Sequence, residues 1–532
     1  MKARAIMVLG TSSHVGKSLL TAALCRIFAQ QGYRVAPFKS QNMSLNSAAT
    51  IEGLEIGRAQ ALQAEAASIP PSVDMNPILL KPSGAMSSQV VVRGKIWGQL
   101  SASDYHLRRV EELMPVVRES YENLAAKNDV IILEGAGSPA EINLKEHDIV
   151  NMRIAEMADA QCLLVGDIDR GGVFAALLGT VQLLEEKEQA RIAGFIINKF
   201  RGDLALLRPG TRMIADRLQK PCLGVVPYIS DLLLEEEDSL GLPAINSDSK
   251  SFWEPEASSN RLLRIAVISF PSFSNFTDFD ALRAEPSVDL HFCKRAEQIS
   301  YADVVIIPGS KQTVDDLVWL RAKGFEHKLL QHAKMGLIVG ICGGMQMLGE
   351  QILDPEAMES AGTTYGLGLL PIHTTMKPQK VTSLTTGRLV SGKLFGHPCL
   401  DIRISGYEIH IGETTYLESA DQFAKLIRAE KSSQISDSFG DGCVAQEGRV
   451  IGTYLHGLFD EDAFRHTFLA AARAFYRLSP VEVFDNWQQK RINSLDRLAE
   501  EVQRSLDMQE IFSWVGLHYE KPVASTARES LT

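Results

Sequence analysis

At 532 residues the chain exceeds what one hydrophobic core serves, so two or three domains are expected, and 45% apolar with 22% charged residues is ordinary globular composition. The formal net charge of −11 argues against nucleic acid as the main partner and requires any anionic ligand to be met by local basic groups. Seven cysteines without CxxC pairs exclude a disulfide framework or zinc site; with no signal segment after Met1 and no membrane-length apolar run, a cytoplasmic protein without a membrane partner is expected.

Ala5 to Leu9 reads as an apolar strand, followed by Gly10-Thr11-Ser12-Ser13-His14-Val15-Gly16-Lys17-Ser18 and a helix with Leu20, Leu24, Ile27 and Phe28 on one face. The Gly16-Lys17-Ser18 ending matches a phosphate loop, whose backbone N–H groups cradle phosphates while Lys17 reaches the β/γ oxygens and Ser18 holds Mg2+. Five residues separate Gly10 from Gly16 instead of four, so Thr11 stands where the usual first glycine would be.

The strand Tyr33 to Phe38 delivers Lys39-Ser40-Gln41-Asn42 at its carboxyl end, where open α/β sheets bind ligands. Val130 to Leu133 ends in Glu134-Gly135-Ala136-Gly137, an acid placed to serve Mg2+ with glycines leaving room for phosphate. Cys162 to Gly166 precedes Asp167-Ile168-Asp169, either near the metal or capping the helix from Val173 to Leu184. Ile192 to Ile197, ending in Asn198-Lys199-Phe200-Arg201, and Leu223 to Val226 complete the series. Strands alternating with helices at this spacing mean a doubly wound, mostly parallel sheet.

Between Gly241 and Asn260 periodicity stops and prolines, serines and asparagines make a linker. The second domain begins near Leu262 with strands Leu263 to Ser269, Asp303 to Ile307 and Leu337 to Ile341. The last runs into Gly340-Ile341-Cys342-Gly343-Gly344-Met345-Gln346. A strand turning sharply into a helix exposes and strains the turn residue, and the helix N-terminus behind it favours a thiolate, so Cys342 reads as a nucleophile. The Pro308-Gly309-Ser310 turn is a source of backbone N–H groups for an oxyanion near Cys342. His410 and His456 both end strand-like runs, and His456, before a glycine, is the expected base. From Phe464 to about Val515 the pattern is helical, and Lys521 to Thr532 is expected to be disordered.

The motifs GTSSHVGKS, PFKSQNMS, LLKPSG, SQVVVRGK, LEGAGSPAEINL, DIDRGGVFA and INKFRGD, then PGSKQTVDDL, GICGGMQMLG, SGYEIHIG and GTYLHGLFD, run in one order over nearly the whole chain. Through them it resembles the cobyrinic/cobyric-type glutamine amidotransferases of the cobalamin pathway. The resemblance implies an α/β protein: a doubly wound, dethiobiotin-synthetase-like P-loop amidoligase domain over 1–240, a linker over 241–261, a flavodoxin-like class I glutamine amidotransferase domain over 262–463, and C-terminal helices with a tail over 464–532.

The resemblance further implies that Cys342 attacks the glutamine amide, releasing ammonia through a glutamyl thioester, with His456 shuttling the proton and Gly309, Gly343 and Gln346 holding the oxyanion and glutamine. Thr11, Gly16, Lys17, Ser18, Lys39 and Asn198 would bind ATP, and Ser18 and Glu134 the Mg2+ of MgATP. The corrinoid acceptor would be adenosylcobyrinic acid a,c-diamide, amidated at its b, d, e and g carboxylates through acyl phosphates. Full-triad amidotransferases carry Glu two residues after the histidine; Leu458 stands there, which implies a Cys-His dyad. Two alternatives compete. Against a sibling enzyme amidating the a and c carboxylates stands Lys39-Ser40-Gln41-Asn42-Met43-Ser44, which looks like the cobyric branch; against a ParA/MinD-like switch carrying an inert amidotransferase-like module stand Cys342 and His456.

Overall fold

The computed structural model describes residues 3–83, 87–101, 103–105, 109–235, 251–399, 401–429, 437–481 and 485–521. The first ten residues of the expected linker, 241–250, and all but the first residue of the expected tail lie outside the described residues.

The first sheet contains β1 (Arg4–Gly10), β2 (Val35–Phe38), β3 (Val130–Glu134), β4 (Gln161–Asp167), β5 (Ile192–Phe200) and β6 (Cys222–Pro227), in the order β6-β5-β4-β1-β3-β2. All five pairings are parallel. Such strands are near-continuous apolar runs because helices cover both faces. On β1, Ile6 and Val8 pack with Leu20, Leu24, Ile27 and Phe28 of the helix Lys17–Gln30, while Met7 and Leu9 face Val117, Tyr121 and Leu177. Crossovers of this kind deliver the ends of β1, β2, β3, β4 and β5 to one edge of the sheet, and with them Lys17, Lys39, Glu134, Asp167 and Asn198.

The second sheet contains β7 (Leu263–Ile268), β8 (Val288–Cys293), β9 (Val304–Ile307), β10 (Leu337–Ile341), β11 (Cys443–Ala445) and β12 (Val450–Thr453), in the order β8-β7-β9-β10-β12-β11. Only the β11–β12 pair is antiparallel. β10 is central and buried along its whole length, so the elbow emerges from the middle of the sheet. A third, mixed sheet inserted between β10 and β11 is built on the long pair Ile372–Leu389 and Arg403–Tyr416.

The C-terminal helices divide between the halves. Asp462–Phe475 packs Phe464, Phe468 and Leu469 into the second core. Trp487–Ser505 and Met508–Trp514 cross back to the first domain, where Leu495, Leu498, Val502 and Ile511 cover the Lys17–Gln30 helix and Phe512 stacks on Phe28 with centroids 4.0 Å apart. The three C-terminal helices thus pack on both halves of the protein.

Candidate active site

Cys342 is the junction between β10 and the helix Gly343–Leu348 and holds φ 51°, ψ −109°, a strained conformation for a residue with a side chain. Its N–H donates to the Thr453 carbonyl at 2.8 Å, tying the turn to β12. Glycines permit the close packing here. A Cβ on Gly344 would lie 1.9 Å from the Ile307 carbonyl oxygen, and one on Gly343 3.1 Å from the Ser310 backbone nitrogen. The elbow thus lies directly against the Pro308-Gly309-Ser310 turn.

His456 follows β12 and is 1% exposed. Its backbone N–H donates to Tyr407 O at 2.9 Å and its carbonyl accepts from Tyr407 N–H at 3.0 Å, while the Tyr407 ring stacks on the imidazole. The side chain is oriented by Asp278: Nδ1 lies 2.7 Å from Asp278 Oδ2, and Asp278 Oδ1 accepts from Gly457 N–H at 3.0 Å. Burial alone would push the imidazole down; the Asp278 carboxylate, and then the Cys342 sulfur hydrogen-bonded to it, outweigh burial and hold its pKa up at about 10. The side chains therefore stand as Cys342, His456 and Asp278, and the expected dyad is incomplete. Leu458 is buried packing, and the carboxylate arrives from the 3-10 turn Phe276–Phe279, far upstream in sequence. No fixed spacing to the histidine marks Asp278, although Asn275-Phe276-Thr277-Asp278 interrupts apolar sequence with polar residues that are all buried.

Gly309 faces the imidazole, since a Cβ there would meet His456 Cε1 at 2.9 Å. Gln346 is buried behind the elbow: Thr313 Oγ1 donates to its Oε1 at 3.1 Å, and its Nε2 donates to Tyr454 OH at 3.2 Å. Thr313 and Tyr454 are functional candidates that sequence reasoning missed. His410 is turned elsewhere; its Nδ1 donates to Gly412 O at 2.8 Å, its Nε2 faces Glu408, and its ring stacks on Tyr454.

In the first domain the side chains converge on Glu134. Its Oε1 accepts from Ser18 Oγ at 2.8 Å and from Lys39 Nζ at 2.9 Å, and its Oε2 from Gln63 Nε2 at 2.6 Å. Gln63, on the helix Arg58–Ala66, carried no sequence signal. Lys17 Nζ donates to Ser12 O at 2.9 Å and Gly137 O at 3.1 Å, crossing the loop where phosphates belong. Gly16 takes φ 96°, which only glycine adopts cheaply, and Thr11 N–H donates to Val165 O. Asn198 Nδ2 donates to Val15 O at 2.8 Å, so this residue holds the loop's shape. Asp167 accepts from Lys199 Nζ and from the Asp169 N–H, while Gly172 occupies the helix cap, which resolves the open choice against capping.

Hard-cation chemistry fits this corner. A hydroxyl and a carboxylate oxygen 2.8 Å apart beside a phosphate loop suit Mg2+, which takes one or two protein oxygens and the rest from phosphate and water. Among the described residues no group of three or more His, Cys, Asp or Glu side chains could hold a metal without such help.

Comparison with known proteins agrees with this architecture. Residues 6–240 match the CobQ/CobB/MinD/ParA nucleotide binding domain, and residues 264–464 the CobB/CobQ-like glutamine amidotransferase domain. The chain is 47% identical to cobyric acid synthase of Clostridium acetobutylicum, over 97% of its own length and 99% of the relative's. It is 46% identical to that of Moorella thermoacetica, over 99% of this chain and 100% of the relative, and 47% identical to that of Caldanaerobacter subterraneus, over 95% and 97%. With both halves matched in order and the identity sustained from end to end, the chain belongs to the cobyric acid synthase family of glutamine-dependent amidating ligases.

Proposed function

We propose that this chain uses ATP and glutamine to amidate the b, d, e and g carboxylates of adenosylcobyrinic acid a,c-diamide in the cytoplasm. The observation that carries the reading is the coexistence in one chain of the Cys342–His456–Asp278 arrangement and the Ser18–Lys39–Glu134 corner of a phosphate loop.

In the amidotransferase half, Cys342 attacks the glutamine side-chain carbonyl as a thiolate. The His456 imidazolium, held charged by Asp278, gives its proton to the departing nitrogen, leaving a glutamyl thioester and ammonia. His456 then takes a proton from water, whose attack breaks the thioester C–S bond, releases glutamate and restores the Cys342 thiolate and the His456 imidazolium. Backbone N–H groups of the Gly309 and Gly343 region are the oxyanion donors on this reading.

A carboxylate resists amine attack because its leaving group is poor. In the nucleotide half the γ-phosphoryl group passes to a corrinoid carboxylate oxygen, with Lys17 and Lys39 meeting the phosphate charge. Ammonia then attacks the acyl carbon and phosphate leaves. Mg2+, held by Ser18 and Glu134, would supply charge neutralisation at the β- and γ-oxygens. Glutamine serves as donor because free ammonia is mostly protonated at neutral pH, whereas nitrogen released in a closed path stays nucleophilic.

Mass spectrometry of the corrinoid product tests the reading. With the a,c-diamide, ATP, Mg2+ and glutamine, four hydroxyl-to-amine exchanges are expected. No exchange, or two exchanges on cobyrinic acid with the diamide left untouched, would refute it.

A further inference from the structure

The proposed amidotransferase centre is finished by the nucleotide domain. Asn275, directly upstream of the turn that carries Asp278, has a left-handed backbone (φ 54°, ψ 47°) and is 3% exposed. Its side-chain Nδ2 lies 3.4 Å from both ring nitrogens of His456, so it sits against the imidazole rather than at one nitrogen. An amide can be turned either way, and what turns this one is a donor from the other domain: Ser47 N–H, 2.9 Å from Asn275 Oδ1. With the oxygen taken, the NH2 group must face His456. The neighbouring contact is reciprocal in direction, since Phe276 N–H donates to Asn46 Oδ1 at 3.1 Å.

Asn46 and Ser47 are themselves held. Asn46 N–H donates to Ser44 Oγ at 3.0 Å, and its carbonyl accepts from the N–H of Arg58, the first residue of the helix that also carries Gln63. Ser47 begins a two-stranded ribbon with Glu55–Gly57, and its Oγ accepts from Lys81 Nζ at 3.0 Å. Toward the phosphate loop, Gly57 N–H donates to Asn76 Oδ1, while Asn76 Nδ2 donates to the carbonyls of Lys39 and Ile78. A chain of buried hydrogen bonds therefore joins the backbone of Lys39, which pairs with Glu134, to the side chain lying on His456.

We propose that Asn46 and Ser47 of the nucleotide domain are positioning residues for glutamine hydrolysis, setting Asn275 and the Asp278 turn against His456. This rests on the reading of Cys342 and His456 as the glutaminase pair. Thiolate attack and proton delivery require the ring in one orientation, and the groups that hold Asn275 and the start of the Asp278 turn come from the domain that activates the acceptor. Glutamine hydrolysis is thereby tied to a docked and ordered nucleotide domain.

The test uses the full chain and the variants Asn46→Ala and Asn275→Ala, each assayed for glutamate release across pH and for amidation driven by ammonium chloride. Loss of one orienting hydrogen bond corresponds to about a tenfold fall in kcat for glutamate release. The expected result is that fall in both variants, with a displaced alkaline limb and ammonia-driven amidation within about twofold of the parent. Unchanged kcat and pH profile for glutamate release overturns the proposal, and so does an equal loss of both activities, which marks a general structural role. A parent chain releasing no glutamate and amidating nothing overturns the functional reading instead, before either variant is compared.

Discussion

Replacing Asp278 by Asn separates charge from shape at the buried centre. Gly457 N–H already donates to Asp278 Oδ1, so in the variant that donor keeps the amide oxygen and the NH2 group is left facing His456 Nδ1. Donation to Nδ1 enforces the tautomer with its proton on Nε2, which cannot accept from a thiol or water. The hydrogen bond lost is one between charged groups, worth about 1.5–3 kcal/mol, or roughly ten- to 150-fold in kcat before the tautomer is counted. On the titration axis the same energy is roughly one to two pH units. Burial then acts on the imidazole with only Cys342 opposing it, and its pKa falls from about 10.

The stability consequence has a definite sign. A histidine whose folded pKa is raised stabilises the fold below its unfolded pKa of about 6.5 and loses that contribution as pH rises through about 10. Parent and Asp278→Asn should therefore differ most in denaturation midpoint near pH 6 and least above pH 10, by the linkage just described. The assay is glutamate release between about pH 6 and 10.5, with ammonia-driven amidation as internal control. A variant with parental kcat and an unmoved alkaline limb would show that Asp278 does not govern His456.

Cys342→Ala should abolish glutamine-dependent amidation while high external ammonia still supports it, read from the corrinoid product; loss of both in a folded protein would refute the division of labour between the domains. Glu134→Gln removes one charge of the buried Lys39–Glu134 pair and should cost about 3–5 kcal/mol in chemical denaturation while raising the MgATP requirement. Its glutamate release should persist if the two centres are separate in chemistry. Gly344→Ala places a methyl 1.9 Å from a backbone oxygen of a central strand, so the elbow must shift. Overpacking of this kind costs about 1–3 kcal/mol, and a lowered melting temperature with glutamate release reduced at least tenfold is expected.

The parts legible in sequence were those whose physics is local. β1 to β4 of the first sheet are largely apolar runs that end at glycine or polar residues, and β10 with its elbow is bounded as its sequence suggests. Edges were harder. β8 (Val-Asp-Leu-His-Phe-Cys) is a half-exposed edge strand mixing Asp and His among its apolar residues, and the inserted third sheet is rich in Thr, Lys and Glu. The strands Gln41–Met43 and Ser47–Ala49 are too short to show a period. Cys342 and His456 announce themselves through the glycines beside them. Asp278, Gln63 and Asn275 do not, because their roles exist only once distant segments meet.

The seam between the halves follows the same logic of partners supplied from afar. Glu55 is fully buried between Lys81 of its own domain, at 2.7 Å, and Lys380 of the amidotransferase half. Burial pulls Lys380 down, and Glu55 restores only part of that, leaving a pKa of about 8. Such a cluster adds little net stability, yet taking one partner away costs about 3–5 kcal/mol. Its effect is therefore on register: a slipped docking would strand a buried charge, while an open one would only rehydrate it. The same holds at Arg58, whose guanidinium pairs with Glu235, itself shared with Arg491 of the returning C-terminal helix. Apolar packing of Phe28 with Phe512 supplies adhesion, and the polar contacts select the single arrangement in which Ser47 reaches Asn275. Two centres that must exchange a short-lived neutral amine need that selection more than they need a tighter interface, since ammonia that meets bulk water is protonated before it reaches the acyl phosphate.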